Sequence, residues 1–299
     1  MILVEPKPPP SLEALKDAVA ALAEKRGQRA RPHDLDAKDT RFVERVMPLF
    51  DLFYDQYFRC ETELEEELSD EPVLAVANHS GMSGTPDMFC LMAAFWRRYG
   101  PGGRAYGLMH DFPFGVPWAG PWLNACGALA ANHDNAHAAF ARGAKVLVFP
   151  GGDIDACRPF RRRYEIELAG RRGFLKLAIR AGVKIVPVVS VGGHHSLYLL
   201  SSGRSIAKAL HLPELFRSNV FPIGFALPYG IIFGNPVPHL PPPVEIHTRI
   251  LAPIDLALPP SAVDDRDALD EAYGRVHRAM QTAMDSLRDE GRHGLFPKR

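Results

Sequence analysis

Short apolar runs alternate along the middle of the chain with segments in which apolar residues recur at helical spacing. Residues 73–77 (Val-Leu-Ala-Val-Ala) read as a buried strand, and Met88, Phe89, Leu91, Met92 and Phe95 behind Pro86 read as a helix. The alternation continues with a strand over 104–109, a helix over 121–126, a short strand over 127–131 and a helix over 135–142. Next come a buried strand over 145–149, an alternating segment over 164–168 that reads as an edge strand, and a helix over 172–181. Residues 183–191 form the strongest strand pattern in the chain. Beyond residue 200 the pattern weakens to a helix over 203–210, proline-rich loops, a strand over 244–251 and a long helix over 262–287. Strands interleaved with helices predict an α/β fold: a mixed, largely parallel sheet flanked by helices. Ahead of it, Ser11 caps an amphipathic helix bearing Leu12, Leu15, Val19 and Leu22, a polar linker covers 27–36, and a second helix runs over 39–59 with Pro48 as a kink. Residues 1–58 are thus expected to be an N-terminal helical appendage and 59–299 the α/β domain.

The aromatic load of the 39–59 helix (Phe42, Phe50, Phe53, Tyr54, Tyr57, Phe58) leaves two readings open, a helix packed across the sheet or one lying in a lipid interface. Composition narrows the rest. At 299 residues and 46% apolar, the chain can bury a large core. Lysine and arginine balance aspartate and glutamate at 35 each, so no long-range field argues for nucleic acid. Cys60, Cys90, Cys126 and Cys157 show neither a disulfide framework nor zinc spacing, which fits a reducing compartment. The amino terminus lacks the basic and apolar regions of a signal peptide, and no run reaches the ~20 apolar residues that span a bilayer. The nearest, over 220–233, is broken by prolines and glycines; the region 220–243 is expected to line an apolar channel, to touch a bilayer, or to be ordinary buried loop.

Two stretches carry candidate chemistry. In Asn78-His79-Ser80-Gly81-Met82-Ser83-Gly84-Thr85-Pro86-Asp87 the strand hands over to a helix through residues without bulk, placing His79 at a strand's carboxyl end, where α/β sheets bind ligands. A histidine with a nearby carboxylate is a base with its orienter, although Asp87 would also be favoured by the helix dipole alone. The second stretch is Phe149-Pro150-Gly151-Gly152-Asp153-Ile154-Asp155, again behind a buried strand. Two glycines there free backbone N–H groups to face an anion or an oxyanion. Arg158, Arg161, Arg162 and Arg163, with Arg171 and Arg172 further on, suit phosphate groups or form a solvated charged face. His110-Asp111 and His194-His195 sit near strand ends, but no spaced metal-ligand set occurs and no metal is expected. No GxSxG, GxGxxG or GxxxxGK[ST] motif is present, which sets aside hydrolase-type serine, dinucleotide and P-loop chemistry.

Taken together, Ala77-Asn78-His79 with its downstream Asp, the Phe149-Pro150-Gly151-Gly152 turn, and the block from Gly170-Arg171-Arg172-Gly173-Phe174 to Val186-Pro187-Val188 resemble the glycerolipid (1-acylglycerol-3-phosphate) acyltransferase superfamily. The likeness is closest to the branch of the mono- and diacylglycerol acyltransferases and their bacterial relatives, and runs from about residue 40 to 255. Two departures stand out: seven residues separate His79 from Asp87, longer than the family's usual spacing, and Gly151 replaces the glutamate of its Phe-Pro-Glu-Gly motif. The resemblance implies O-acyl transfer from a thioester, acyl-CoA or an acyl-carrier protein, to a lysophospholipid or a mono- or diacylglycerol, with no cofactor. It implies His79 and Asp87 as catalytic residues, with Asn78, Gly151, Gly152, Asp155, Arg158, Arg161 and Arg172 binding substrate. It also implies a cytoplasmic protein peripheral to the membrane. A catalytically inactive lipid-binding protein and a lipid ester or thioester hydrolase remain as alternatives.

Overall fold

The computed structural model describes residues 1–81, 86–235 and 239–298. Eleven strands are present among them: β1 (Ile2–Leu3), β2 (Glu61–Leu64), β3 (Val73–Ala77), β4 (Ala105–Met109), β5 (Ala128–Ala130), β6 (Lys145–Val148), β7 (Lys184–Val191), β8 (Tyr198–Ser201), β9 (Ile223–Ala226), β10 (Gly230–Phe233) and β11 (His247–Ile250). The helices are α1 (Leu12–Lys25), α2 (Thr40–Asp51), α3 (Pro86–Tyr99), α4 (Ala119–Ala125), α5 (His133–Ala141), α6 (Gly152–Ala156), α7 (Gly173–Ala181), α8 (Arg204–Ala209), α9 (Leu212–Phe216) and α10 (Arg266–Glu290). Eight strands form one sheet in the order β1-β2-β11-β7-β3-β6-β4-β5, and β10-β9-β8 form a small antiparallel sheet. In the large sheet β7, β3, β6, β4 and β5 are mutually parallel, β11 runs antiparallel to β7 but parallel to β2, and β1 closes the edge antiparallel to β2. The expected mixed, largely parallel α/β architecture is what the chain forms.

Period-two alternation divides the central strands between two layers. Leu74 and Val76 of β3 with Ile185, Val189 and Val191 of β7 face a core built with Ala136 and Phe140 of α5, Phe174 and Leu175 of α7, and Val276, Met280 and Met284 of α10. Val73 and Ala77 with Val186 and Val188 point the other way, toward Leu91 of α3. A strand covered on both faces has no polar side to show, which is why β3 and β7 read as unbroken apolar runs. α10 is held at its start by Asp265, whose carboxylate accepts from Asp267 and Ala268, and stops at Gly291 with φ 70°.

The N-terminal segment is tied to the body at several points. β1 pairs with β2 at the sheet edge, and Phe42, Val46, Phe50 and Tyr54 pack on α3, where Phe50 meets Trp96 edge-on at 4.9 Å. Buried Arg97 of α3 binds Asp51 and Asp55, closing the helix pair. The aromatics of the second helix thus serve packing, with Phe53 the exception at 41% exposure. The expected single helix becomes α2 followed by a π-helical turn over Leu52–Tyr57, past the Pro48 kink. No helix among the described residues is long and apolar enough to cross a membrane.

Three expectations change. Residues 164–168 form no strand: the Tyr164 carbonyl, the Ile166 N–H and the Ile166 carbonyl bond to Gln281 and His277 of α10 instead of to a neighbouring strand. The loops expected after residue 210 contain β9 and β10, which complete the small sheet. Cys60 and Cys90, expected to be unpaired, form a disulfide with Cα atoms 6.6 Å apart, because α3 brings Cys90 over the start of β2; Cys126 and Cys157 are free and buried. A pair 30 residues apart, joined only by tertiary packing, leaves no spacing signature.

Candidate active site

The carboxyl ends of β3, β6 and β7 lie side by side, and the residues that follow them converge. After β3, Asn78 turns inward and spends its side chain on one partner. Its Nδ2 donates to the Ser190 carbonyl at 3.0 Å and its Oδ1 accepts from the Ser190 N–H at 2.8 Å, locking β3 to β7. At 1% exposure Asn78, expected to bind substrate, brackets the two strands. His79 comes next, its ring 4.4 Å from that of Phe149 at the end of β6.

His79 Nδ1 lies 3.2 Å from Asp87 Oδ2. Asp87 is fixed by three further bonds: Oδ2 accepts from the Ser80 N–H at 2.7 Å and the Ser80 hydroxyl at 3.2 Å, and Oδ1 accepts from the Met88 N–H at 2.8 Å. Pro86 presets the first turn of α3 and puts this carboxylate at the helix N-terminus, as its sequence position predicts. The acid is 2% exposed whereas the imidazole keeps 17%, so of the pair it is the ring that retains exposure. Burial pulls the His79 pKa down, but the charge and hydrogen bond of Asp87 and the charge of Asp155 outweigh it, leaving the ring more basic than usual. A carboxylate on Nδ1 holds the tautomer whose Nε2 has a free lone pair. Gly84, the third small residue of the connecting loop, lies outside the described residues.

Behind the histidine sits a buried ionic cluster. Asp155 Oδ2 accepts the His79 backbone N–H at 2.6 Å, and Asp155 Oδ1 lies 3.1 Å from Arg158 Nε. Arg158 Nη2 in turn bonds His194 Nε2 at 2.8 Å, past the end of β7. At 0% and 1% exposure, Asp155 and Arg158 are enclosed by the protein, where they were expected to bind substrate. Burial pushes the Asp155 pKa up to about 6 against the opposing pull of Arg158. Burial first, then the adjacent Arg158 charge, hold His194 well below its ordinary value, so it is neutral and accepts from the guanidinium. The sequence singles out His194 near a strand end, but its bond to Arg158 and the positioning role of Asp155 escape sequence reading; the one signal available is that both residues follow strands adjacent to β3.

The glycine turn also departs from expectation. The Gly152 N–H donates to the Phe149 carbonyl at 3.0 Å, closing the turn, so it is not offered to an oxyanion. Gly152 adopts φ +53°, and a Cβ there would stand 2.8 Å from Arg171 Nη1. At Gly151 a side chain would collide with the Glu167 carbonyl and Asp155, so the backbone leaves no room for a glutamate at that position. The arginines fan out. Arg161 is exposed; Arg162 pairs with Glu165; Arg163 stacks on Phe160 and Tyr164; Arg172 pairs with Asp270 of α10 and donates to the Gly170 carbonyl. Arg171 is the one brought to the turn, donating to the Pro150 carbonyl at 3.0 Å. Among the described residues, the group with metal-ligand spacing, Glu61, Glu63 and His247, is interlaced with Arg249 and Arg292, whose charges already compensate the acids.

A histidine whose Nδ1 lies on a buried carboxylate at the carboxyl edge of an α/β sheet has the geometry of a general base with its orienter. The stretch 59–191, under half of the chain, matches the family model described as Acyltransferase. It contains His79, Asp87, Asp155 and Arg158. The chain is similar to a protein of Mycobacterium tuberculosis, Rv0502, and one of Mycobacterium bovis, Mb0514, each 29% identical over 203 residues (64% of this chain, 56% of the relative). A Mycobacterium leprae protein, ML2427, is 28% identical over the same length. The chain thus spans little more than half the length of these relatives. Among solved structures it is similar to the 1-acyl-sn-glycerophosphate (LPA) acyltransferase PlsC of Thermotoga maritima, at 15% identity and TM-score 0.46, over 83% of this chain and 82% of that one.

Proposed function

We propose that the protein transfers a fatty acyl group from a thioester, acyl-CoA or an acyl-carrier protein, to a hydroxyl of a glycerolipid, a lysophospholipid or a mono- or diacylglycerol. The observation that carries this reading is the His79–Asp87 pair, with Nδ1 on the buried carboxylate and the ring retaining exposure. His79 Nε2 takes the proton of the acceptor hydroxyl as its oxygen attacks the thioester carbonyl carbon. The tetrahedral intermediate collapses with cleavage of the C–S bond, and the leaving thiolate takes up the proton held by the imidazolium. Asp87 keeps the tautomer and stabilises the imidazolium, as the acid of a catalytic triad does. General base catalysis contributes ~10²–10⁴-fold, so alignment of the two substrates must supply much of the remainder. Arg171, half-exposed beside the Pro150 carbonyl and 3.6 Å from Asp153, would meet a phosphate of donor or acceptor. No cofactor enters this scheme. A site of this kind takes its acceptor from lipid, which supports a peripheral association with the cytoplasmic membrane face.

Purified protein is incubated with long-chain acyl-CoA or acyl-carrier protein and a panel of glycerol 3-phosphate, lysophospholipids and mono- and diacylglycerol, with products read by mass spectrometry. A new acylated lipid that disappears in a folded His79→Ala variant is expected. Full turnover by that variant would sink the mechanism, and free fatty acid as the sole product would mark a hydrolase.

A further inference from the structure

The small sheet is apolar on both faces. Leu199, Ala226 and Ile232 point inward to Cys157 and Val220, with Ile154 of α6 packed against them. The register aligns Tyr198, Phe225 and Ile231 in one row across the opposite face, with Phe233 in the next, and these side chains are 45%, 48%, 61% and 70% exposed. An antiparallel sheet that faces water on one side ordinarily carries polar residues there, and a contiguous apolar patch marks an interaction surface.

Its anchors place this sheet on the same edge of the molecule as the site. The Asn219 N–H donates to Asp153 beyond β6 at 2.6 Å, Arg217 pairs with Asp111 beyond β4 at 3.4 Å, and β8 leaves the turn that holds His194 beyond β7. Phe112 and Trp118, in the segment following β4, are exposed as well, at 71% and 60%. Between Leu168 and Val244 the sequence contains a single carboxylate, Glu214, while Arg204 and Lys208 of α8 are exposed. A symmetric pairing with a second copy would set these bases in a field of the same sign. An anionic lipid surface complements them, and the aromatic rings suit the headgroup level of a bilayer.

We propose that the outer face of the β8-β9-β10 sheet docks the protein on an anionic phospholipid bilayer, with the edge that carries His79 turned toward the lipid. This deepens the acyltransfer reading by naming where the acceptor is met. The test is sedimentation of the full chain with phosphatidylcholine vesicles, with and without about a third phosphatidylglycerol. Ile231→Ser/Phe233→Ser and Arg204→Glu/Lys208→Glu variants are run beside wild type. Wild type is expected to bind the anionic vesicles, and each double variant to partition roughly tenfold less at unchanged melting temperature. Should the apolar variant lose its fold, the charge variant decides. Undiminished binding by the folded variants, or no wild-type binding to either vesicle, overturns the proposal. So does a wild-type dimer in gel filtration that Ile231→Ser/Phe233→Ser converts to monomer, since the face would then belong to a second copy. Acylation of a short-chain, lipid-free acceptor runs in parallel, and its retention in the variants shows that docking alone was lost. Vesicle binding by a wild type that acylates nothing leaves the docking face standing and removes the acyltransfer reading.

Discussion

Replacing Arg158 by methionine tests the buried cluster behind His79 through its dependence on pH. Asp155 is fully buried and titrates at about 6, raised by burial from an ordinary 3.8 and restrained chiefly by Arg158. A raised carboxylate binds its proton more tightly in the folded chain than in the unfolded one, so wild-type stability from this group is greatest at low pH and falls until about pH 6. Without Arg158 the folded-state value climbs toward the range of lone buried carboxylates, roughly 8–9. The variant then goes on losing stability above pH 6, where wild type has stopped. At about 1.36 kcal/mol per unit, the gap between the two proteins should widen by up to about 2.7 kcal/mol from about pH 6 to about pH 8. A pH-independent offset, from the lost bond to His194 and the changed packing, is added to this. Urea denaturation of both proteins across that range measures it, and a gap that stays flat, or narrows, would refute the account of Asp155 and Arg158 as a coupled pair.

Other substitutions probe the site more directly. Asp87→Asn should cut kcat by roughly 10³–10⁴-fold; because Asp87 is what lifts the His79 pKa, the acid limb of kcat/KM should move to lower pH, and a limb that stays in place would count against the pairing. Gly151→Ala should cost about 1–3 kcal/mol, read as a fall in melting temperature. Its activity should drop further than stability accounts for, since the new methyl pushes on Asp155.

Much of the architecture and the meeting of His79 with Asp87 could be read from sequence because both depend on local order. β3, β6 and β7 are apolar runs buried on both faces, and His79 and Asp87 sit on either side of one strand-to-helix connection. The partners of the arginines could not be read, since Arg158 meets His194 across 36 residues and Arg172 meets Asp270 across 98. Density of charge along the chain does not say which charges converge in space. The partner of Asn78 could not be read for a similar reason: its amide fills the gap between two strands 112 residues apart in sequence. The small sheet was hidden because its strands are four residues long, contain Gly224 and Gly230, and are apolar on both faces, so no alternation marks them. The residues at 236–238, within the proline-rich region, lie outside the described residues.

The brackets around His79 also set when the site can come into being. Its backbone N–H waits on Asp155, 76 residues away, and the preceding Asn78 on Ser190, 112 residues away. Such contacts close only after the intervening helices and strands have been brought together, because loop closure costs entropy before the contact returns anything. Helical signal can therefore recover early in refolding while the histidine remains unplaced. Closure of the site would follow the last long-range closure of the sheet, and a chain cleaved between β3 and β7 would have to reassemble both pieces before His79 could be held in place.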